Sequence, residues 1–300
     1  MRTIGYLDVL GFGRIALTDL MGAIDMIYDY QTIVNNKVTD QHIHPELLQI
    51  AEKLCADSFE SLLPFSDSIF IVSNQPDKFV TQISHFLHHA FSINGFQFED
   101  PANPEDPTET TIPIGWSHER LPIHRYPLLF KGGVSYGEVA NLRLNSIIDN
   151  EIVPIRNLTG QALVEAVYLE KAGKGPRLFC NKVFVDQLSP GIRDKFIGVL
   201  RVNELYEILW PASIYFDEND CRIDIGAFDT LFIPAVNLWR AFGHIEKVGV
   251  HYYEFLRLII NATLQYHTQK GCGRFARQYI EEKIISNGLR DELNEYFSEI

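Results

Sequence analysis

The chain has 300 residues, of which 46% are hydrophobic and 22% charged, which excludes a disordered or collagen-like polymer and supplies apolar side chains for one large domain or two smaller ones. Lys and Arg total 26 against 39 Asp and Glu, a net charge of -13, so the basic footprint of a polyanion binder is missing and no nucleic-acid partner is expected. No run approaches the ~20 apolar residues that cross a bilayer. The stretch MRTIGYLDVLGFG sets an acid inside its apolar run, unlike a secretory signal, and Cys55, Cys180, Cys221 and Cys272 lack C-x-x-C spacing, which argues against a disulfide framework and a zinc site. The expectation is a reduced cytoplasmic protein with no membrane partner.

Taken in chain order, Ile4 to Leu10 has the length and branching of a buried strand, and Gly11-Phe12-Gly13 turns it into a helical pattern. Leu17, Leu20, Met21, Ile24, Ile27 and Tyr28 recur at helical spacing as one apolar stripe. A second helix is predicted after Pro45, through Leu47, Leu48, Ala51 and Leu54. Phe59 to Ser73 reads as two short strands around Pro64-Phe65-Ser66-Asp67-Ser68, a hairpin with an acid at its tip. Phe79, Ile83, Phe86, Leu87 and Ala90 mark another amphipathic helix. Between about Asn94 and Pro127 the pattern dissolves into a proline-rich, structureless insertion, read as an excursion or lid. Leu128 to Val139 is a strand or hairpin around Gly132-Gly133, Gln161 to Lys171 a helix, and Arg177 to Cys180 a short strand.

From about Gly191 the character turns helical, most clearly at Tyr252, Phe255, Leu256, Ile259 and Ile260 and then from Phe275 to Ile285. Residues 1–185 therefore read as a mixed α/β unit carrying the insertion at 94–127, and residues 186–300 as a mainly helical extension packed on it.

The constellation that demands chemistry is Asp8 with Asp67. A carboxylate in an apolar strand is costly unless paired or metal-bound, and two acids at neighbouring strand ends repel until a divalent cation relieves them. Oxygen-only donors suit Mg²⁺ or Mn²⁺. The spacing leaves a second reading open, in which each acid caps its own turn. Gly11-Phe12-Gly13 beside them could expose backbone N–H groups to phosphate, or be only a turn. Gly173-Lys174-Gly175 is no Walker A loop, Ala16 stands where a dinucleotide fingerprint needs its third glycine, and no G-x-S-x-G occurs. The pairs His42/His44 and His88/His89 lack the i, i+4 spacing of a helical metal site and read as surface or interface histidines.

The ordered segments YLDVLGF (6–12), FSDSIFIV (65–72), FKGGVSYGEV (130–139) and GQALVEAVYLE (160–170) resemble the catalytic domain of class III nucleotidyl cyclases, and within them stand-alone bacterial cyclase-like proteins that include pyrimidine cyclases of antiviral defence. The resemblance covers roughly residues 1–185. It implies an α/β (α+β), ferredoxin-like or palm-type domain with a mixed, mainly antiparallel sheet. It also implies conversion of a nucleoside triphosphate to a 3′,5′-cyclic monophosphate and pyrophosphate with two Mg²⁺ or Mn²⁺ ions, in a homodimer whose site is shared between protomers. Asp8 and Asp67 match the metal-binding aspartates, and the backbone of Val9, Leu10, Gly11, Phe12 and Gly13 matches the segment that holds the triphosphate. Lys131 and Arg177 are candidates to neutralise phosphate charge.

The departures are equally specific. Val164 stands where the family's helix usually carries a ribose-orienting Asn, and Tyr168 where it carries a transition-state Arg. Leu63 and Asn157 stand at the positions that usually hold a purine-reading Lys and Asp. A Tyr hydroxyl lacks the cationic fork of Arg. Two readings follow: an active cyclase with a remodelled, pyrimidine-accepting pocket that uses Tyr168, or a catalytically silent homologue that binds a nucleotide or a protein as sensor or scaffold.

Overall fold

The computed structural model describes residues 1–40, 57–115, 118–148, 150–200, 204–215 and 221–293. At its centre β1 (Arg2–Val9) pairs antiparallel with β3 (Ser68–Ser73) on one side and β6 (Phe130–Gly137) on the other. β2 (Ser61–Phe65) forms the hairpin with β3. Beyond β6 lie β9 (Leu178–Asn181), in the sheet's parallel pair, then antiparallel β11 (Leu205–Ile208) and β10 (Ile197–Val199). Helices α1 (Phe12–Thr18) and α2 (Leu20–Asp40) separate β1 from β2, and α3 (Pro76–Ser92) follows β3. The run β1-α-β2-β3-α-β6, ordered β6-β1-β3-β2 across the sheet, is the ferredoxin-like split βαβ arrangement. The mixed, mainly antiparallel α/β fold expected from the sequence is the observed one.

The two faces of β1 are covered differently. Leu7 and Val9 join Ile69, Phe79, Ile83 and Phe86 in the main core, whereas Ile4 meets Ala162 and Ala166 of α5 (Gln161–Glu170) in a small cluster. The close approach of α5 explains Gly133: a Cβ there would collide with the carbonyl oxygen of Ala166.

Three expectations are corrected. Leu17, Leu20, Met21, Ile24 and Tyr28 face solvent, Leu17 with 89% exposure, while Ala23, Met26, Tyr30, Ile33 and Val34 take the core side of α2. The helix breaks at Asp19, whose carboxylate accepts from Gly22 N–H (3.0 Å), so the stripe straddles two helices and is not one continuous face. The insertion is not structureless: α4 (Gly95–Glu99) precedes a hairpin of β4 (Glu109–Pro113) and β5 (Arg120–His124), tied down by Gln97 Nε2 donating to the carbonyls of Pro107 and Thr108. Cys180 is a buried free thiol, but Cys272 is disulfide-bonded. The helix expected after Pro45, and with it His42, His44 and Cys55, lies outside the described residues.

Sequence periodicity assigned nothing to 140–156, where β7 (Ala140–Ile148) and β8 (Glu151–Thr159) form a separate hairpin with Leu142, Leu144, Ile147, Ile152 and Ile155 exposed. Further α-helices among the described residues are α6 (Lys182–Val185), α7 (Pro190–Phe196), α8 (Cys221–Gly226), α9 (Phe228–Phe242), α10 (Gly249–Gln269) and α11 (Gly273–Ser286). Phe255 of α10 packs edge-on against Phe91 of α3 at 5.0 Å between ring centres, so the core runs without interruption from sheet to extension.

Candidate functional site

Asp8 ends the regular part of β1 opposite Ser68 of β3 and Lys131 of β6. One residue on, Val9 N–H donates to the carbonyl of Asp67 (2.9 Å), which closes the β2–β3 tip against β1 and sets the two aspartates on neighbouring strand ends. Ser66 supplies the left-handed turn residue (φ 55) that brings Asp67 round. The Ser68 hydroxyl donates to Asp8 Oδ1 (2.8 Å), and Tyr30 O–H holds the Ser68 carbonyl at 3.1 Å from the opposite side.

The cost of Asp8 in an apolar strand is met within the chain. Lys131 Nζ lies 3.3 Å from Asp8 Oδ2 and also pairs with Glu170, the last residue of α5, whose side chain is 8% exposed. Burial pulls the Lys131 pKa down, but Glu170 and Asp8 outweigh it and hold it above the usual lysine value, so the ammonium stays charged. Asp67, by contrast, is half-buried and its carboxylate takes no hydrogen-bond or ion-pair partner among the described residues.

Leu10 N–H donates to Leu129 (2.8 Å), and Gly11 adopts φ 81, where a side chain would be strained although there is open space for one. Val9 to Gly13 thus leaves the sheet beside both aspartates. Val164 and Tyr168 sit one turn apart on the outer face of α5, 50% and 68% exposed. Leu63 is on β2 opposite Phe70, and Asn157 is exposed on β8 opposite Leu142. No hydrogen bond links either to the aspartates.

Arg177 is not available for a phosphate. Its guanidinium meets Glu207 Oε2 and Glu254 Oε2, each at 2.9 Å, and Glu207 is 2% exposed. Burial raises the Glu207 pKa while Arg177 opposes the rise. Sequence reasoning missed Glu170 and Ser68. Glu170 carried a weak signal as an acid closing the apolar run ALVEAVYL, and Ser68 carried none.

Among the described residues no three or more His, Cys, Asp or Glu side chains gather into a ready-made metal cage. Asp8 and Asp67 nevertheless fit Mg²⁺, which is commonly held by one or two carboxylates while substrate phosphates and waters complete its shell. The unpartnered, half-buried carboxylate of Asp67 is the donor most open to such an ion.

No protein-family model and no curated protein matches the chain. Among solved structures it is similar to the guanylyl cyclase domain of the RhoGC fusion protein from the aquatic fungus Blastocladiella emersonii, at 13% identity and a TM-score of 0.42, over 69% of this chain and 95% of that one. It is also similar to an adenylate cyclase from Trypanosoma brucei (11% identity, TM-score 0.41, 69% and 87% covered) and to the adenylyl cyclase CyaB from P. aeruginosa (15%, 0.36, 69% and 92%).

Proposed function

We propose that the chain is a metal-dependent nucleotidyl cyclase that turns a ribonucleoside triphosphate into a 3′,5′-cyclic monophosphate and pyrophosphate. The observation that supports this reading is the Val9–Asp67 backbone bond, which sets Asp67 against the end of the strand that carries Asp8, beside the Val9 to Gly13 turn. Asp8 and Asp67 would hold Mg²⁺ or Mn²⁺, which when bound supplies a lowered pKa for the ribose 3′-hydroxyl and charge neutralisation for the phosphates. Ser68 holds Asp8 Oδ1, while Lys131 lies against Asp8 Oδ2, where it competes with the ion. With Leu63 and Asn157 in place of a purine-reading pair, a pyrimidine nucleotide is the favoured substrate. Tyr168, exposed on α5, would reach the nucleotide from a second copy in a homodimer. The body formed by residues 1–185 would carry this site and residues 186–300 would support it.

One observation favours the second reading. Lys131 already neutralises Asp8, and Val164 and Tyr168 bring neither amide nor guanidinium; a nucleotide-binding sensor or scaffold would need no more. Incubation with each of the four ribonucleoside triphosphates under Mg²⁺ and under Mn²⁺, followed by a pyrophosphate assay, separates the two. Release from at least one, abolished in Asp67→Ala with unchanged melting, supports the cyclase. No release from any of them under either metal transfers the assignment to the binding protein.

A further inference from the structure

Between α1 and the corner joining α9 to α10 lies a pocket of about 450 Å³, walled by Leu10, Ile15, Leu129, Phe242, Val248 and Tyr252. Its size falls within the range of small-molecule sites, which pair an apolar body with a few placed polar groups. Three aromatic residues line it. Tyr126 is fixed by its O–H donating to Asp19 Oδ2 (3.0 Å), and the Phe242 and Tyr252 rings lie 5.9 Å apart.

The polar groups are of one dominant sign. Arg14 and Lys247 both line the pocket and are exposed, and the side chain of neither has a protein partner among the described residues. In a chain with a net charge of -13, two unengaged cations at one pocket mark it out. Lys247 sits at φ 71, a left-handed conformation that a non-glycine residue keeps only where its surroundings impose it, and such residues cluster at ligand clamps. Glu246 is the one acid in the lining. His251 is spoken for, its Nδ1 accepting from Gly175 N–H (2.9 Å), and burial with Lys174 and Lys131 nearby keeps its pKa low.

We propose that this pocket binds a planar aromatic anion, with the ring among Tyr126, Phe242 and Tyr252 and the anionic group at Arg14 and Lys247. Asp8 and Asp67 take no part in the lining, so occupancy of this pocket is tested separately from the cyclase reading. Leu10 and Gly11 belong both to this wall and to the turn after Asp8, so an occupant steadies that turn. Such an anion could be a nucleoside monophosphate or a free aromatic carboxylate, and two titration arms tell these apart.

Isothermal titration of the full chain uses cytidine and adenosine 5′-monophosphates in one arm and anthranilate in the other. The expected result is saturable binding of one ligand per chain in at least one arm, weakened about tenfold or more by Lys247→Glu and by Ile15→Trp and unchanged in Asp67→Ala. Lys247→Glu alters an exposed residue and so guards against a folding defect in the pocket-filling variant. Absence of saturable binding in both arms, or binding that both pocket variants retain, overturns the proposal. Retention in Asp67→Ala keeps this outcome separate from any failure of the cyclase assay.

Discussion

The Lys131 ammonium and the Asp8 carboxylate face each other across the β1–β6 ladder, 3.3 Å apart, and Glu170 of α5 grips the same ammonium from the helix side. One cation thus balances two acids that come from a strand and a helix, and removing it exposes both.

Lys131→Met is therefore expected to destabilise the fold by about 2 kcal/mol. That is less than the ~3–5 kcal/mol of a fully buried pair because the Lys131 side chain keeps 29% exposure. The loss comes from leaving the nearly buried Glu170 unpaired, so adding Glu170→Gln should recover most of it. The same substitution takes a competing cation from Asp8, and Mn²⁺ should bind more tightly by calorimetry. A double variant no more stable than Lys131→Met would show that the pair is not the source of the loss.

Gly11 and Gly133 are required for different reasons, and substitution distinguishes them. At Gly11 only the backbone conformation matters, since a Cβ there would meet nothing within 4 Å. Gly11→Ala should cost about 1 kcal/mol and Gly11→Asn less, because Asn tolerates the left-handed region. At Gly133 the obstacle is the Ala166 carbonyl, and Gly133→Ala should cost ~1–3 kcal/mol by pushing α5 off the sheet. Urea denaturation of the three variants checks this; a Gly11→Asn loss as large as that of Gly11→Ala would contradict the conformational account of Gly11.

These glycines also show what a sequence makes legible. Asp8 declares itself as a charge inside an apolar strand, and Asp67 and Gly11 as turn residues at a hairpin tip and at a strand-to-helix junction. The strands and helices that carry them follow from periodicity and appear where expected. Glu170 and Ser68 break no local rule. Their meaning comes from the β1–β3 register and from the docking of α5, which are facts of tertiary pairing. The stripe from Leu17 to Tyr28 misleads for the same reason: spacing gives the period of a helix, but the break at Asp19 decides which face meets the core. The 140–159 hairpin escaped because its apolar residues are exposed and the usual buried-versus-solvent alternation is absent.

His88, read from the sequence as a surface or interface histidine, is partly enclosed in α3. Burial, with His89 beside it, lowers its pKa from 6.5 to about 4. The unfolded chain then binds the extra proton across this window and the folded chain does not, so stability present above about pH 6.5 is lost as pH falls toward 4. The contribution is about 2 kcal/mol after allowance for partial exposure. Chemical denaturation at pH 7 and pH 5 should show this loss, and His88→Gln should flatten it. An unchanged slope in the variant would assign the acid sensitivity to other groups.

Val164 and Tyr168 on the outer face of α5, with Leu144, Ile147 and Ile152 on the β7–β8 hairpin, leave apolar side chains exposed on faces that no other described residue covers. Exposed apolar groups of this extent are commonly closed by a partner surface, and the proposed shared site requires a second copy. Sedimentation is expected to give a dimer at micromolar concentration. Tyr168→Glu and Ile147→Glu should each shift it toward monomer, because a carboxylate buried at a contact stays unpaired, with little change in Tm since neither side chain enters the core. Loss of pyrophosphate release should accompany dissociation in both variants. A wild-type chain that sediments as a monomer yet releases pyrophosphate would remove the need for a partner and leave Tyr168 without a catalytic task.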